Sequence, residues 1–182
     1  MIPAFMTTNV RHMTLPSGQP IEIRPADPTE IEALARLRHD GWHDAHAAIV
    51  PAALVRVRTF ENFAARLADM LGKVRVVGPL GAPQGLHLIA GDELYQFYVA
   101  ARARGTGVAA SLIADAEARL AEAGVETAWL ECAIGNERAA KFYEKCGWRR
   151  SGTVAGRLYI PNGTFEMNVW RYEKRLTAGV GP

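Results

Sequence analysis

The sequence predicts a single α/β domain, and three junctions along it carry that prediction. The first runs from the aromatic and β-branched segment Glu93–Val99, through Arg102-Ala103-Arg104-Gly105-Thr106-Gly107, into 108–123. In that last segment Val108, Leu112, Ala116 and Leu120 recur at helical spacing. The second joins an apolar strand at 127–133 to a helix opened by Asn136, with Ala139, Phe142, Tyr143 and Cys146 on one face. The third is Pro161-Asn162-Gly163 between two alternating runs, a strong hairpin signal. Strands and helices in alternation, closed by a hairpin, describe a sheet with helices packed on it.

The remaining elements follow in chain order. Residues 1–19 show no clear period and read as an N-terminal arm, leaving a domain at 20–176 and a tail at 177–182. Ile21 to Arg24 alternates as a short first strand. Asp27-Pro28-Thr29-Glu30 announces a helix: Asp27 as N-cap, Pro28 at the first helical position, Glu30 closing a capping box. Ile31, Leu34, Ala35 and Leu37 supply its apolar face. Gly41 is expected to interrupt it, with an aromatic and histidine-rich loop following to Val50. Pro51 opens a second helix toward Leu71, whose imperfect period allows a break near Thr59. Strands at 73–77 and 85–90 flank the loop at 78–83, and Gly124 and Gly147 stop the later helices. The last two strands are expected at 149–160 and 164–174.

Composition narrows the class. The chain has 182 residues, 49% hydrophobic and 22% charged, typical of a globular domain with a real core. A net charge of +2 gives no clustered basic face for nucleic acid. No apolar run approaches the roughly 20 residues that cross a bilayer. The N-terminus lacks the charged head and apolar stretch of a signal peptide, so a cytoplasmic location is the default expectation. Cys132 and Cys146 match no zinc or redox spacing and are expected to be buried free thiols.

The glycine loop is built for an anion. Its glycines permit a tight turn, and the first amides of the following helix point outward with the positive end of the helix dipole. Arg102 and Arg104 beside it suit a phosphate or pyrophosphate. A dinucleotide loop would need a third glycine where Ala110 stands, and a nucleoside-triphosphate loop would need a Gly-Lys-Ser/Thr triplet that the chain lacks. A strand-to-helix turn with glycines for steric relief is the plain alternative. Arg102, Gly105 and Gly107 fill the R/Q-x-x-G-x-G/A pattern, which resembles the acetyl-CoA loop of the GNAT superfamily of N-acetyltransferases. Downstream, Asn136, Ala139, Phe142, Tyr143, Gly147 and Trp148 fill N-x-x-A-x-x-F/L-Y followed by G-F/W, which resembles the second GNAT signature.

The resemblance implies a GNAT fold: a mixed, mostly antiparallel, twisted sheet flanked by about four helices, its central strands splayed by a bulge. It implies acetyl-CoA as cofactor, held by main-chain groups at Phe97, Tyr98 and Val99, by Arg102, Arg104, Gly105, Thr106, Gly107, Val108 and Ala109, and by Asn136, Ala139 and Phe142. The reaction it implies is acetyl transfer to a primary amine by direct attack in a ternary complex. A neutral amine, a stabilised oxyanion and a proton for the departing thiolate are then required. The resemblance assigns the last task to Tyr143, a phenol protonated at neutral pH. Glu93 matches a base glutamate of some relatives; a solvated strand-end charge is the other reading. His87 is a second base candidate or a structural histidine.

Trp42, His43, His46, His87 and Tyr159 are the expected acceptor-side residues, with Phe165 near the same hairpin. The His39, His43 and His46 group invites a metal reading, but Gly41 and the missing glutamate motif argue against it, and no metal is expected. A small-molecule amine is the expected partner, since no charged patch suits a protein tail. The resemblance leaves room for a homodimer paired through terminal strands. A non-catalytic acyl-CoA-binding module and a protein acetyltransferase, N-terminal or lysine, are the alternatives.

Overall fold

The computed structural model describes residues 21–176. The expected arm at 1–19 and tail at 177–182 lie outside the described residues. Strand β1 (Ile23–Pro25) leads to Asp27, which caps a 3-10 turn in reciprocal partnership with Glu30, with Pro28 inside the first turn. Glu30 is buried, and its charge is met by the Arg24 guanidinium at 2.5 and 2.8 Å and by the Asp27 and Gly81 amides. This network ties the start of helix α1 (Ile31–His46) to the first strand and to the 78–83 loop.

Gly41 does not interrupt α1, contrary to the sequence expectation; the helix continues through it to His46. A Cβ at Gly41 would stand 3.1 Å from Tyr98 Cδ1, so the glycine allows the helix to cross the sheet closely. Its helix-propensity penalty, about 1 kcal/mol against alanine, accompanies that approach. The break at Thr59 is present: α2 (Ala52–Val57) and α3 (Phe60–Ala68) are separate, and the Thr59 hydroxyl accepts from the Asn62 amide.

Strands β2 (Val74–Val77), β3 (Gly85–Ala90) and β4 (Glu93–Val99) follow, then α4 (Val108–Glu122), β5 (Thr127–Ala133) and α5 (Glu137–Lys145). Strands β6 (Arg149–Ile160) and β7 (Gly163–Arg175) form the expected hairpin. The seven strands order as β1-β2-β3-β4-β5-β7-β6, antiparallel everywhere except between β4 and β5.

Two irregularities in the middle of this sheet position the site. Ile89 pairs with Leu94 but Leu88 pairs with Gln96, so Tyr95 is an extra residue bulged from β4. Strands β4 and β5 pair only at Glu93 and Trp129, with the Trp129 amide donating to the Asp92 carbonyl, and then part. The core divides accordingly. One cluster packs Leu34, Leu67, Val76 and Leu86 with Leu112; another packs Leu94, Ile113, Leu120 and Leu130 with Trp148 and Tyr172. Helix α4 belongs to both, so it braces the sheet across the split. Both cysteines are free thiols; Cys132 is buried as expected, whereas Cys146, at the end of α5, is only half-buried.

Candidate active site

Where β4 and β5 separate, a cavity of about 360 Å³ opens between them. Its walls hold Phe97, Tyr98 and Val99 on one side, Arg104, Gly105 and Ala109 at the loop, and Asn136, Ala139, Phe142 and Tyr143 on α5. At the loop end, Gly105 and Gly107 take φ of +77° and +91°, conformations open mainly to glycine. The first intrahelical bond of α4 runs from the Ser111 amide to the Gly107 carbonyl at 3.0 Å, so the amides of 108–110 precede the ladder. Thr106 braces the turn by donating its hydroxyl to the Ala103 carbonyl at 2.7 Å. The turn is held by backbone geometry, with the first amides of α4 ahead of its ladder.

Not every residue expected to hold the cofactor lines the cavity. Arg102 donates to the Pro83 carbonyl at 2.9 Å instead, and Val108 is fully buried beneath the turn. Thr106 and Gly107 shape the loop without forming its wall. Arg104 does line the cavity, but its guanidinium lies 2.5 Å from Asp44 of α1. Arg138 of α5 meets the same carboxylate at 2.6 Å. The two arginines hold Asp44 below the ordinary carboxylate range, Arg138 contributing most.

Asn136 caps α5 by accepting from the Ala139 amide, which sets the helix so that Tyr143 enters the cavity wall. Tyr143 is buried among aromatic rings: Phe97, Phe142, Trp148 and Tyr172 stand between 5.6 and 6.4 Å from it, centroid to centroid. Burial pushes its phenol well above the ordinary value. The Cys132 thiol, on the same cavity wall, is pushed up to about 12 for the same reason.

A second cavity, of about 420 Å³, lies on the α1–α3 side of the sheet. The bulge at Tyr95 explains its wall: by shifting the alternation of β4 it lets Glu93, Tyr95, Gln96 and Tyr98 all line one space. Tyr95, Gln96, Tyr98, His46, Glu131 and Ala133 border both cavities, which therefore meet at the parted strands. Of the expected acceptor-side residues, Trp42, His46 and Tyr159 line this space. His43 lies off the wall and bonds the Arg58 carbonyl through Nε2 at 2.8 Å. Phe165 packs against the cluster of Trp42, Leu54 and Phe63.

His87 is corrected outright: it borders neither cavity. It is fully buried on the α4 side, with Nε2 2.6 Å from Asp115 of that helix. Phe97, its cross-strand neighbour, faces α5 rather than the acceptor space, so β3 cannot present His87 to an amine.

The electrostatics of the second cavity are uneven. Glu93 is raised to about 7 by burial first and then by the neighbouring Glu131 carboxylate, with Arg171 opposing. Glu131 is itself raised by burial. His46 stacks on Trp42 at 5.2 Å, and its Nδ1 lies 2.9 Å from the Trp42 carbonyl. A carbonyl only accepts, so Nδ1 carries the proton and neutral His46 keeps its lone pair on Nε2. Burial lowers its pKa, which favours that neutral form.

Residues 85–148, the stretch that holds the loop, the parted strands and α5, match the model of the acetyltransferase (GNAT) family. Over that stretch the chain is similar to this family. An uncharacterized N-acetyltransferase of Mycobacterium tuberculosis is 39% identical over 75 residues, covering 39% of this chain and 48% of its own. The chain thus spans about half the length of the curated relatives it matches. Among solved structures, a GCN5-related N-acetyltransferase from Rhodopseudomonas palustris superposes with a TM-score of 0.68 at 19% identity, covering 91% of this chain and 99% of that one. PaiA N-acetyltransferase from Thermoplasma acidophilum, solved in complex with coenzyme A, gives 0.63 at 18% identity over 86% and 99%. The shared fold is the GNAT fold expected from the two motifs.

Sequence reasoning missed several walls of this site. Arg58, Arg66 and Glu131, which line the acceptor-side cavity, were not among the expected residues. Arg138, one residue short of the expected Ala139, also lines the cofactor-side cavity. A signal for Glu131 was available: its alternation with buried Leu130 and Cys132 puts it on the opposite face of β5.

Proposed function

We propose that this protein is an N-acetyltransferase that moves an acetyl group from acetyl-CoA to the primary amine of a small molecule. The observation that supports it best is the meeting of the two cavities at the parted strands, with a buried phenol on one side and a carboxylate near neutrality on the other. The loop geometry fits the cofactor: positive-φ glycines, a helix start with free amides, and a cleft floored by unpaired strand edges. Acetyl-CoA, when bound, supplies an activated acyl group and a thiol leaving group.

In this reading the loop from Gly105 to Gly107 and the first turn of α4 grip the diphosphate. Main-chain groups of Phe97, Tyr98 and Val99 hold the pantetheine arm and polarise the carbonyl, and Asn136, Ala139 and Phe142 close the far wall. Glu93 accepts the proton of the incoming ammonium, directly or through water; a pKa of about 7 suits a base that must release the proton again. As the C–N bond forms and the C–S bond breaks, Tyr143 would give its proton to the departing sulfur and be restored by the second proton that the nitrogen sheds on becoming an amide. The burial that raises the phenol disfavours a thiolate in the same wall, as the pKa of Cys132 illustrates, so the transfer does not run uphill by the full difference in ordinary values. An acceptor cavity of about 420 Å³ supports a small molecule, within the roughly 300–1,000 Å³ usual for such sites.

The test is release of free CoA thiol from acetyl-CoA across a panel of primary amines. Amine-dependent release, slowed in Tyr143→Phe with CoA affinity retained, is the expected result. Binding of acetyl-CoA with no release by any amine would make the protein a non-catalytic acyl-CoA module instead.

A further inference from the structure

The acceptor-side cavity is lined by side chains of both charge signs. Glu93 and Glu131 belong to the strands that part where the reaction is proposed. Arg58 and Arg66 line the same cavity, and Arg38 of α1 is buried near them without lining it. Arg58 is 3% exposed and Arg38 is 1% exposed, a degree of burial that charged side chains reach rarely without a partner of opposite charge.

Such a partner is missing among the described residues. Arg58 donates through Nη1 to Asn62 Oδ1 at 3.2 Å and to the Tyr159 carbonyl at 2.8 Å, both neutral acceptors. Arg66 donates to the Tyr95 hydroxyl at 2.6 Å, and Arg38 to Gln96 Oε1 at 3.1 Å. Among the described residues none of the three forms an ion pair, although other arginines such as Arg24, Arg104 and Arg138 do. Arg58 Nε, and Arg38 Nε and Nη1, are buried without a hydrogen-bond acceptor. The mutual repulsion is felt: burial and then the Arg66 charge pull Arg58 down to about 10. Arg58 and Arg66 line the cavity without a carboxylate partner, and a guanidinium so placed is matched by an oxyanion, which accepts two parallel N–H bonds.

We infer that the acceptor is an amine bearing an oxyanion, its ammonium drawn to Glu93 and Glu131 and its anionic group seated on Arg58 and Arg66. This deepens the acetyltransferase reading and rests on it for the amine end. The anionic end stands on the unpaired arginines alone. The same chemistry comes from a carboxylate, as in an amino acid, or from a phosphate monoester. Trp42, Phe63 and Trp129 line the same cavity and suit an apolar body.

Matched pairs of amines test it: phenylalanine against phenylalaninamide, 4-aminobutyrate against 4-aminobutanamide, and O-phosphoethanolamine against ethanolamine. Thiol release is measured for each with acetyl-CoA, and thermal stabilisation for each on the CoA-bound protein at constant ionic strength. A preference in kcat/KM of roughly tenfold or more for the charged member of at least one pair is expected, from charge-assisted hydrogen bonds. The pair that shows it identifies carboxylate or phosphate. Arg66→Gln, at a half-buried position, should collapse that ratio, and so should Arg58→Gln if it folds. Equal or inverted preference in all three pairs, with no charge-selective stabilisation, would overturn the inference. Absence of thiol release with every amine, while anionic amines still stabilise wild type and not Arg66→Gln, would reject the transfer reading and leave this one standing.

Discussion

The two cavities that meet at the parted strands are built on different principles. The cofactor-side cavity is backbone at its loop end, with a positive-φ glycine, a helix start and strand edges freed because β4 and β5 pair at a single register position, and its wall is closed by the rings of Phe97, Phe142 and Tyr143. The acceptor-side cavity is made from side chains gathered from α1, α2–α3, β4, β5 and the β6–β7 hairpin, acidic and basic groups among them. Backbone sites depend on local patterns and tolerate side-chain drift. Side-chain sites depend on distant elements converging, which makes them the variable half.

The largest expected effect falls at Tyr143, on the wall of the cofactor-side cavity. Tyr143→Phe removes only the phenol oxygen from a wall of aromatic rings, so folding and CoA affinity should persist while kcat drops by about 10²–10⁴. A drop confined to KM would assign Tyr143 to packing and break the division between a binding half and a reacting edge.

Glu93→Gln comes next, with a loss of roughly 10–100-fold at high pH. In wild type kcat/KM should fall as pH decreases through about 7, because Glu93 must be ionised to accept a proton, and the variant should lose that limb. The groups around it are Glu131 and Asp92, which raise it, and Arg171, which opposes them. Stability carries the opposite sign. The folded-state pKa lies above the ordinary 4.5, so the native state binds the proton more tightly and wild type loses stability as pH rises from about 4.5 to about 7. Glu93→Gln should not show that decline in a pH series of denaturant melts.

Asp44→Asn is the smallest and concerns the cofactor side. It frees Arg104 and Arg138 from exposed ion pairs, so stability should change by less than about 1 kcal/mol. CoA affinity should rise at low salt and lose the gain at high salt, because the released arginines border the cavity at whose loop end the diphosphate is proposed to bind. An affinity indifferent to both would leave the cradle entirely to the backbone.

The same contrast explains what could be read from the residues alone. Gly105, Gly107, Asn136 and Tyr143 lie in short motifs whose spacing encodes their geometry, so the loop, the capped α5 and the cofactor-side wall were legible. The hairpin at Asn162-Gly163 and the break at Thr59 were legible for the same local reason. Gly41 misled because its role is tertiary: it clears Tyr98, 57 positions along the chain, and helix rules alone see only a weak former. His87 misled because alternation places it on one face of β3 without saying which face holds α4 and Asp115. Arg58 and Arg66 were invisible as a site because nothing local distinguishes an arginine facing water from one facing a cavity.

Amide chemical-shift mapping with CoA tests the central claim most directly, since it reports where the cofactor sits without requiring turnover. The account predicts the largest shifts in three stretches that the chain separates and the fold unites: 97–99, 105–109 and 131–139. Shifts confined to other parts of the sheet, or none at saturating CoA, would contradict it.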